Sequence, residues 1–152
     1  MKTMTHWTRI RLRCFADTPR HGHSTDPMNL RHFNLNEFDS PDLPGSGDQM
    51  KHGTLTMLDK ARDIANVPFY IVSGCRTVEH NRMVGGVEYS AHCDGYAADI
   101  QYTSEASAVR IIAALTRAGF LRIGKGKTFI HVDNDPNKSA AYWDYAQAHH
   151  IA

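Results

Sequence analysis

Apolar residues recur three and four apart at Leu55, Leu58, Ala61 and Ala65, which stacks them on one face of a helix over residues 50–65. Pro68 closes that segment, and the unbroken run Phe69-Tyr70-Ile71-Val72 reads as a short buried strand. A loop, Ser73-Gly74-Cys75-Arg76, leads into a short helix over 78–84 that Gly85-Gly86 stops. Residues 97–102 form a second strand. Ser104 then caps a helix over 105–118 whose core face is Ala108, Ile111, Ile112 and Leu115, and Gly119 ends it. Two more strands, 120–123 and 128–133, flank Gly124-Lys125-Gly126-Lys127, a hairpin signal whose lysines are expected in solvent.

Upstream of this pattern, residues 1–32 are polar and basic, broken by Pro19, Gly22 and Pro27, and hold neither the strand nor the helix period. They read as a poorly ordered extension in which Arg9, Arg11 and Arg13 alternate with Ile10 and Leu12. The compact domain is expected to begin at Phe33, with Leu35 and Phe38 as further anchors, and to run to 145, leaving 146–152 as a tail.

Composition narrows the classes. The 152 residues are 41% hydrophobic and 22% charged, enough for one domain with its own core. Lys and Arg number 17 against 16 Asp and Glu, a net charge of +1, so no overall field favours nucleic acid or an anionic membrane. No apolar run approaches the roughly 18 residues of a membrane span. Arg9, Arg11 and Arg13 interrupt any secretory apolar region, so synthesis in the cytoplasm without a signal peptide is expected. Cys14, Cys75 and Cys93 are odd in number with no C-x-x-C spacing, which argues against a disulfide framework.

Ten histidines matter only where spacing gives them partners. His92 precedes Asp99 by seven residues, with Gly95 between them where the backbone must turn into the strand. In that strand Ala97 and Asp99 share one face and Ala98 and Ile100 the other; in the last strand Phe129, His131 and Asp133 oppose Ile130 and Val132. Were these strands neighbours, His92, Asp99 and His131 would converge as two imidazoles and a carboxylate, leaving a fourth tetrahedral position open as in a catalytic zinc site. Spacing alone also fits an ordinary strand aspartate and a hydrogen-bonded wall histidine.

At these residues the sequence resembles the M15 family of zinc D-Ala-D-Ala carboxypeptidases and related peptidoglycan peptidases. The resemblance is carried by Ser73-Gly74-Cys75-Arg76-Thr77, His80-Asn81, Val84-Gly85-Gly86 and Ser90-x-His92-x-x-Gly95-x-Ala97-Ala98-Asp99, with Phe33-x-x-x-Glu37-Phe38 before them. Phe129-Ile130-His131-Val132-Asp133 and Trp143 complete it, over about 33–145. The subgroup most similar is common in phage and prophage genomes. The resemblance implies an α+β fold, the one shared by these peptidases and the Hedgehog signalling domain, with a small antiparallel sheet and flanking helices. It implies zinc on His92, Asp99 and His131, a peptidoglycan peptide substrate, and access to the cell wall after phage-mediated release. It places Arg76 beside the substrate carboxylate or developing oxyanion, Ser90 in the substrate site, and His80 and Asn81 in organising the short helix. The chain is expected to act as a monomer.

The resemblance also marks departures. Cys75 stands where the pattern usually has an aromatic residue, which bears on the pocket beside Arg76. Thr128 occupies the position three before His131 where some of these enzymes carry an acid or histidine, and threonine cannot serve as a base. Asp133, on the metal-facing side of its strand, is the candidate in its place, either as base or as the acceptor that orients His131; a third reading makes it a cap on the turn into Asn134-Asp135-Pro136. Cys93 is too close in sequence to His92 to share its ion. A non-catalytic zinc-containing module binding cell wall or a partner is the competing function. A nucleic-acid protein using the basic N-terminus is a weaker competitor. A non-haem iron triad of His131, Asp133 and His149 or His150 is another, but too few residues follow Asp133 for that barrel.

Overall fold

The computed structural model describes residues 29–146. The expected basic extension with Arg9, Arg11 and Arg13, the tail after 146, Cys14, His149 and His150 lie outside the described residues, apart from 29–32. Single 3-10 turns at Leu35–Phe38 and Ser46–Gln49 lead into α1 (His52–Ala65) and β1 (Tyr70–Ser73). Then follow α2 (Val78–Met83), β2 (Ala97–Gln101), α3 (Glu105–Ala118), β3 (Arg122–Lys125), β4 (Phe129–Asp133) and β5 (Ala141–Asp144). Among the described residues no helix is long and apolar enough to cross a membrane.

The helices end where local chemistry ends them. Ser104 accepts a hydrogen bond from Ser107 N at the start of α3. Gly119 takes a left-handed φ of 110° at its end, and Phe120 N folds back onto Leu115 O at 3.1 Å. That closure keeps Phe120 in the helix terminus, so β3 starts at Arg122 and not at 120. Strand β3 then runs through Gly124 and Lys125, so the turn to β4 covers 126–128 where 124–127 was expected. Helix α1 starts at His52 because Met50 is extended and its N–H closes the preceding turn on Gly47 O. Leu30 packs against the core, and Arg31 N and His32 N donate to Asp59 at 3.1 and 3.0 Å, so bonding to the domain begins before Phe33.

The fold is α+β, with α1 and α3 packed on each other and over one face of a five-stranded sheet of order β1-β2-β4-β3-β5. That face is Ile71, Ala98, Ile100, Ile123, Ile130 and Val132. Two expectations need correcting. The sheet is not wholly antiparallel: β1–β2, β2–β4 and β4–β3 are antiparallel, but β5 joins β3 in parallel. Strand β1 is not buried either, because it is a sheet edge where Phe69 and Ile71 turn inward while Tyr70 and Val72 stay exposed.

Register defines the other face. Ser73 pairs with Asp99, Asp99 with His131, His131 with Gly124, and Gly124 with Trp143, one row across all five strands. The glycine is required there, since a Cβ at 124 would lie 2.3 Å from the Trp143 ring. Its absence lets the indole lie across β3 to within 5.5 Å of the His131 ring.

Gly124→Ala is therefore expected to destabilise the fold by about 1–3 kcal/mol through overpacking. Gly53→Ala, on α1 with nothing within 4 Å of the added methyl, is expected to stabilise by about 0.4–1 kcal/mol. Denaturant midpoints of the two variants check this pair.

Candidate metal centre

Gly95 sets the entry to β2. It has φ of 76°, and a Cβ there would come within 2.3 Å of Gln49 O, so the chain turns against the 3-10 segment as only glycine allows. The turn presents His92, 2% exposed, with its main-chain oxygen accepting from Arg76 N at 3.1 Å. Asp99 and His131 are direct partners on β2 and β4, so the three side chains converge over the middle of the sheet.

Their ligating atoms form a tight triangle. His92 Nε2 lies 3.2 Å from His131 Nδ1 and 3.2 Å from Asp99 Oδ1, and the third edge is 2.9 Å. Ligands at about 2.0–2.1 Å from a tetrahedral zinc would stand about 3.3 Å apart, close to these edges. What lies behind the rings fixes which nitrogen faces inward. Gly74 O, which can only accept, takes His92 Nδ1–H at 2.7 Å, leaving a lone pair on Nε2. Asp133 Oδ2 takes His131 Nε2–H at 2.9 Å, leaving a lone pair on Nδ1. Two imidazole lone pairs and a carboxylate oxygen thus point at one spot, a donor set that fits a divalent cation such as zinc.

The charges are arranged to match. Burial alone would raise the Asp99 carboxyl, but when the inward nitrogens of His131 and His92 carry a proton, their hydrogen bonds and charge hold it well below the usual carboxylate range. Arg76 completes its surroundings, donating from Nη2 to Asp99 Oδ2 at 2.7 Å and from Nε to Ser73 Oγ at 2.8 Å. Burial would lower the His131 imidazole, yet Asp133 and Asp99 outweigh it and raise its pKa, so the spot favours positive charge, a proton on Nδ1 or a cation in that proton's place. Asp133, 1% exposed, is held low despite its burial by His131 and by the Arg122 guanidinium.

The remaining candidates take definite places. Both Asp133 oxygens are engaged, Oδ2 by His131 and Oδ1 by Arg122 Nε at 2.9 Å and Asp135 N at 3.2 Å. Asp133 thus stands behind His131 as an acceptor for its Nε2–H. Ser90 Oγ accepts from His92 N at 3.3 Å, a local turn that also lines the cavity. Asn81 ties the loop after α2 together through Val87 O and Gly86 N, and His80 lies on the cavity wall. Thr128 is exposed and off that wall. Cys75 packs into the core, so it does not shape the pocket beside Arg76. Cys93 stands outside the ligand group. Lys125 is not a solvated turn residue: its Nζ donates to Tyr102 Oη at 3.2 Å and to Glu105 at 3.3 Å.

The triangle opens onto a cavity of about 660 Å³. One wall is Arg76, His80 and residues 84–87; the other is Arg122, Phe129, Lys138, Trp143 and Tyr145. Sequence reasoning missed most of the second wall. Its one signal was aromatic residues at alternate positions, Trp143 and Tyr145, shortly after the His131-x-Asp133 strand.

A family model described as peptidase M15 matches residues 31–133, spanning His92, Asp99 and His131 and ending before β5. A search of curated proteins finds no significant match.

His92→Ala and His131→Ala are each expected to abolish stoichiometric zinc binding by the purified protein. Asp133→Asn, which keeps the shape but weakens the grip on His131, is expected to cost about 10–100-fold in zinc affinity. Competition with a chromophoric chelator measures both effects.

Proposed function

The chain belongs to the peptidase M15 family, and from that membership we propose that it is a zinc-dependent hydrolase of an amide bond in peptidoglycan stem peptides or crosslinks, of D-Ala-D-Ala carboxypeptidase type. The observation that carries the reading is the His92, Asp99 and His131 triangle at the floor of an open cavity, three inward lone pairs with room for a substrate above them. When bound, zinc supplies Lewis acidity that polarises a scissile carbonyl and acidifies water.

The chain's own residues do the rest. Gly74 O and Asp133 fix the two imidazoles in the tautomers that face inward, and Arg76 fixes the carboxylate of Asp99. Arg76 also lines the wall, where its planar guanidinium suits a substrate carboxylate or a developing oxyanion, and Ser90 borders the same space. A phage or prophage origin, action on the wall after lysis, and a monomeric state belong to the same proposal and are supported by the sequence resemblance.

Mass spectrometry of purified muropeptides tests it. Zinc-loaded protein is expected to remove a terminal D-alanine, and chelation or His92→Ala to stop the reaction. Unchanged muropeptides from zinc-loaded protein would overturn the enzymatic reading and leave a binding module of the same fold.

A further inference from the structure

The second wall of the cavity contains a polar group that the reading above does not use. Strand β5 lies parallel to β3, with Trp143 opposite Gly124 and Gly124 opposite His131. Because residue 124 has no side chain, the indole edge drops onto β3; its Nε1 would lie only 2.5 Å from a Cβ built there. Tyr145 follows two residues later and also lines the cavity. Its main-chain N–H donates to Lys125 O at 2.9 Å, and its ring packs 5.4 Å from Phe129 and 5.9 Å from Trp143. The phenol therefore stands against the indole that lies over β3 beside His131.

We infer that Tyr145 is a catalytic residue whose hydroxyl donates a hydrogen bond to the substrate oxygen that becomes anionic when the amide carbon is attacked. The inference rests on the peptidase reading. A neutral phenol carries one O–H that can be donated to a substrate oxygen. Among the described residues no side chain or carbonyl takes that proton. Among the cations of the wall, Arg122 is engaged by Asp133 and Lys138 by Tyr89 O and Asp135, while Arg76 gives Nη2 to Asp99 and Nε to Ser73 and keeps its other N–H groups for substrate, so a neutral donor at Tyr145 adds to Arg76 without replacing it. Burial, with the charges of Asp99 and Asp133, pushes the phenol pKa up, which keeps it a neutral donor and not a base. No bond of Tyr145 is made or broken. As water oxygen bonds to the carbonyl carbon and gives up a proton to solvent, charge grows on the carbonyl oxygen and the existing hydrogen bond strengthens; it relaxes when the C–N bond breaks and the amine leaves carrying a proton taken from solvent.

Tyr145→Phe in the full zinc-loaded chain removes only that donor. Its kcat on muropeptides is expected to fall roughly 10²-fold with little change in KM, while zinc content and the unfolding midpoint stay at wild-type values. A phosphinate isostere of the scissile dipeptide, whose tetrahedral oxygens imitate the attacked amide, is expected to lose affinity for the variant by a similar factor, and the product peptide to lose none. Wild-type turnover in the variant, or a loss that comes with lost zinc, overturns the inference. A wild-type protein that cuts no muropeptide would defeat the peptidase reading; the phosphinate comparison then decides for Tyr145, and equal or undetectable binding by both proteins overturns it.

Discussion

Three hydrogen-bond acceptors facing one another within 3.2 Å repel unless something positive stands among them. The rest of the site follows from holding them there. Each has a partner behind it that prevents it from turning away: Gly74 O behind His92, Arg76 behind Asp99, and Asp133 behind His131, itself held by Arg122. Because Asp99 and Asp133 each carry an arginine partner, the buried carboxylates do not accumulate uncompensated charge. The donor group is thus preorganised by groups that never touch the ion, which is how metal sites secure orientation.

The sheet makes this arrangement possible by dividing its faces. Ala98, Ile100, Ile130 and Val132 look toward the helices and carry the core, while the residues between them on the same strands look toward the cavity. A one-residue slip between β2 and β4 would drive Asp99 into the core and expose isoleucines, so the packing of α1 and α3 enforces the register that the chemistry needs. Gly124 extends the same division to the edge, opening a trough through which Trp143 reaches His131.

Much of this was legible in the chain. The 3.6-residue spacing of Leu55, Leu58 and Ala61 and the caps at Ser104 and Gly119 mark both long helices, because those signals are local. The convergence of Asp99 and His131 was legible because strand alternation places each on a definite face of its strand, and pairing of β2 with β4 brings the two together. Strand β5 was not: four residues with Tyr142 in solvent carry no alternation of burial, and its position depends on the parallel pairing with β3. The apolar run at 69–72 misled because hydrophobicity does not tell an edge strand from a central one. The arginine behind Asp133 and the aromatic wall were hidden for the same reason, since Arg122, Trp143 and Tyr145 meet the centre only through register.

X-ray absorption at the zinc edge of the loaded protein tests the central claim most directly. The account predicts two imidazole nitrogens and carboxylate or water oxygen at about 2.0–2.1 Å, with no sulfur in the coordination sphere. A zinc–sulfur distance of about 2.3 Å, placing the ion on cysteine, would contradict it.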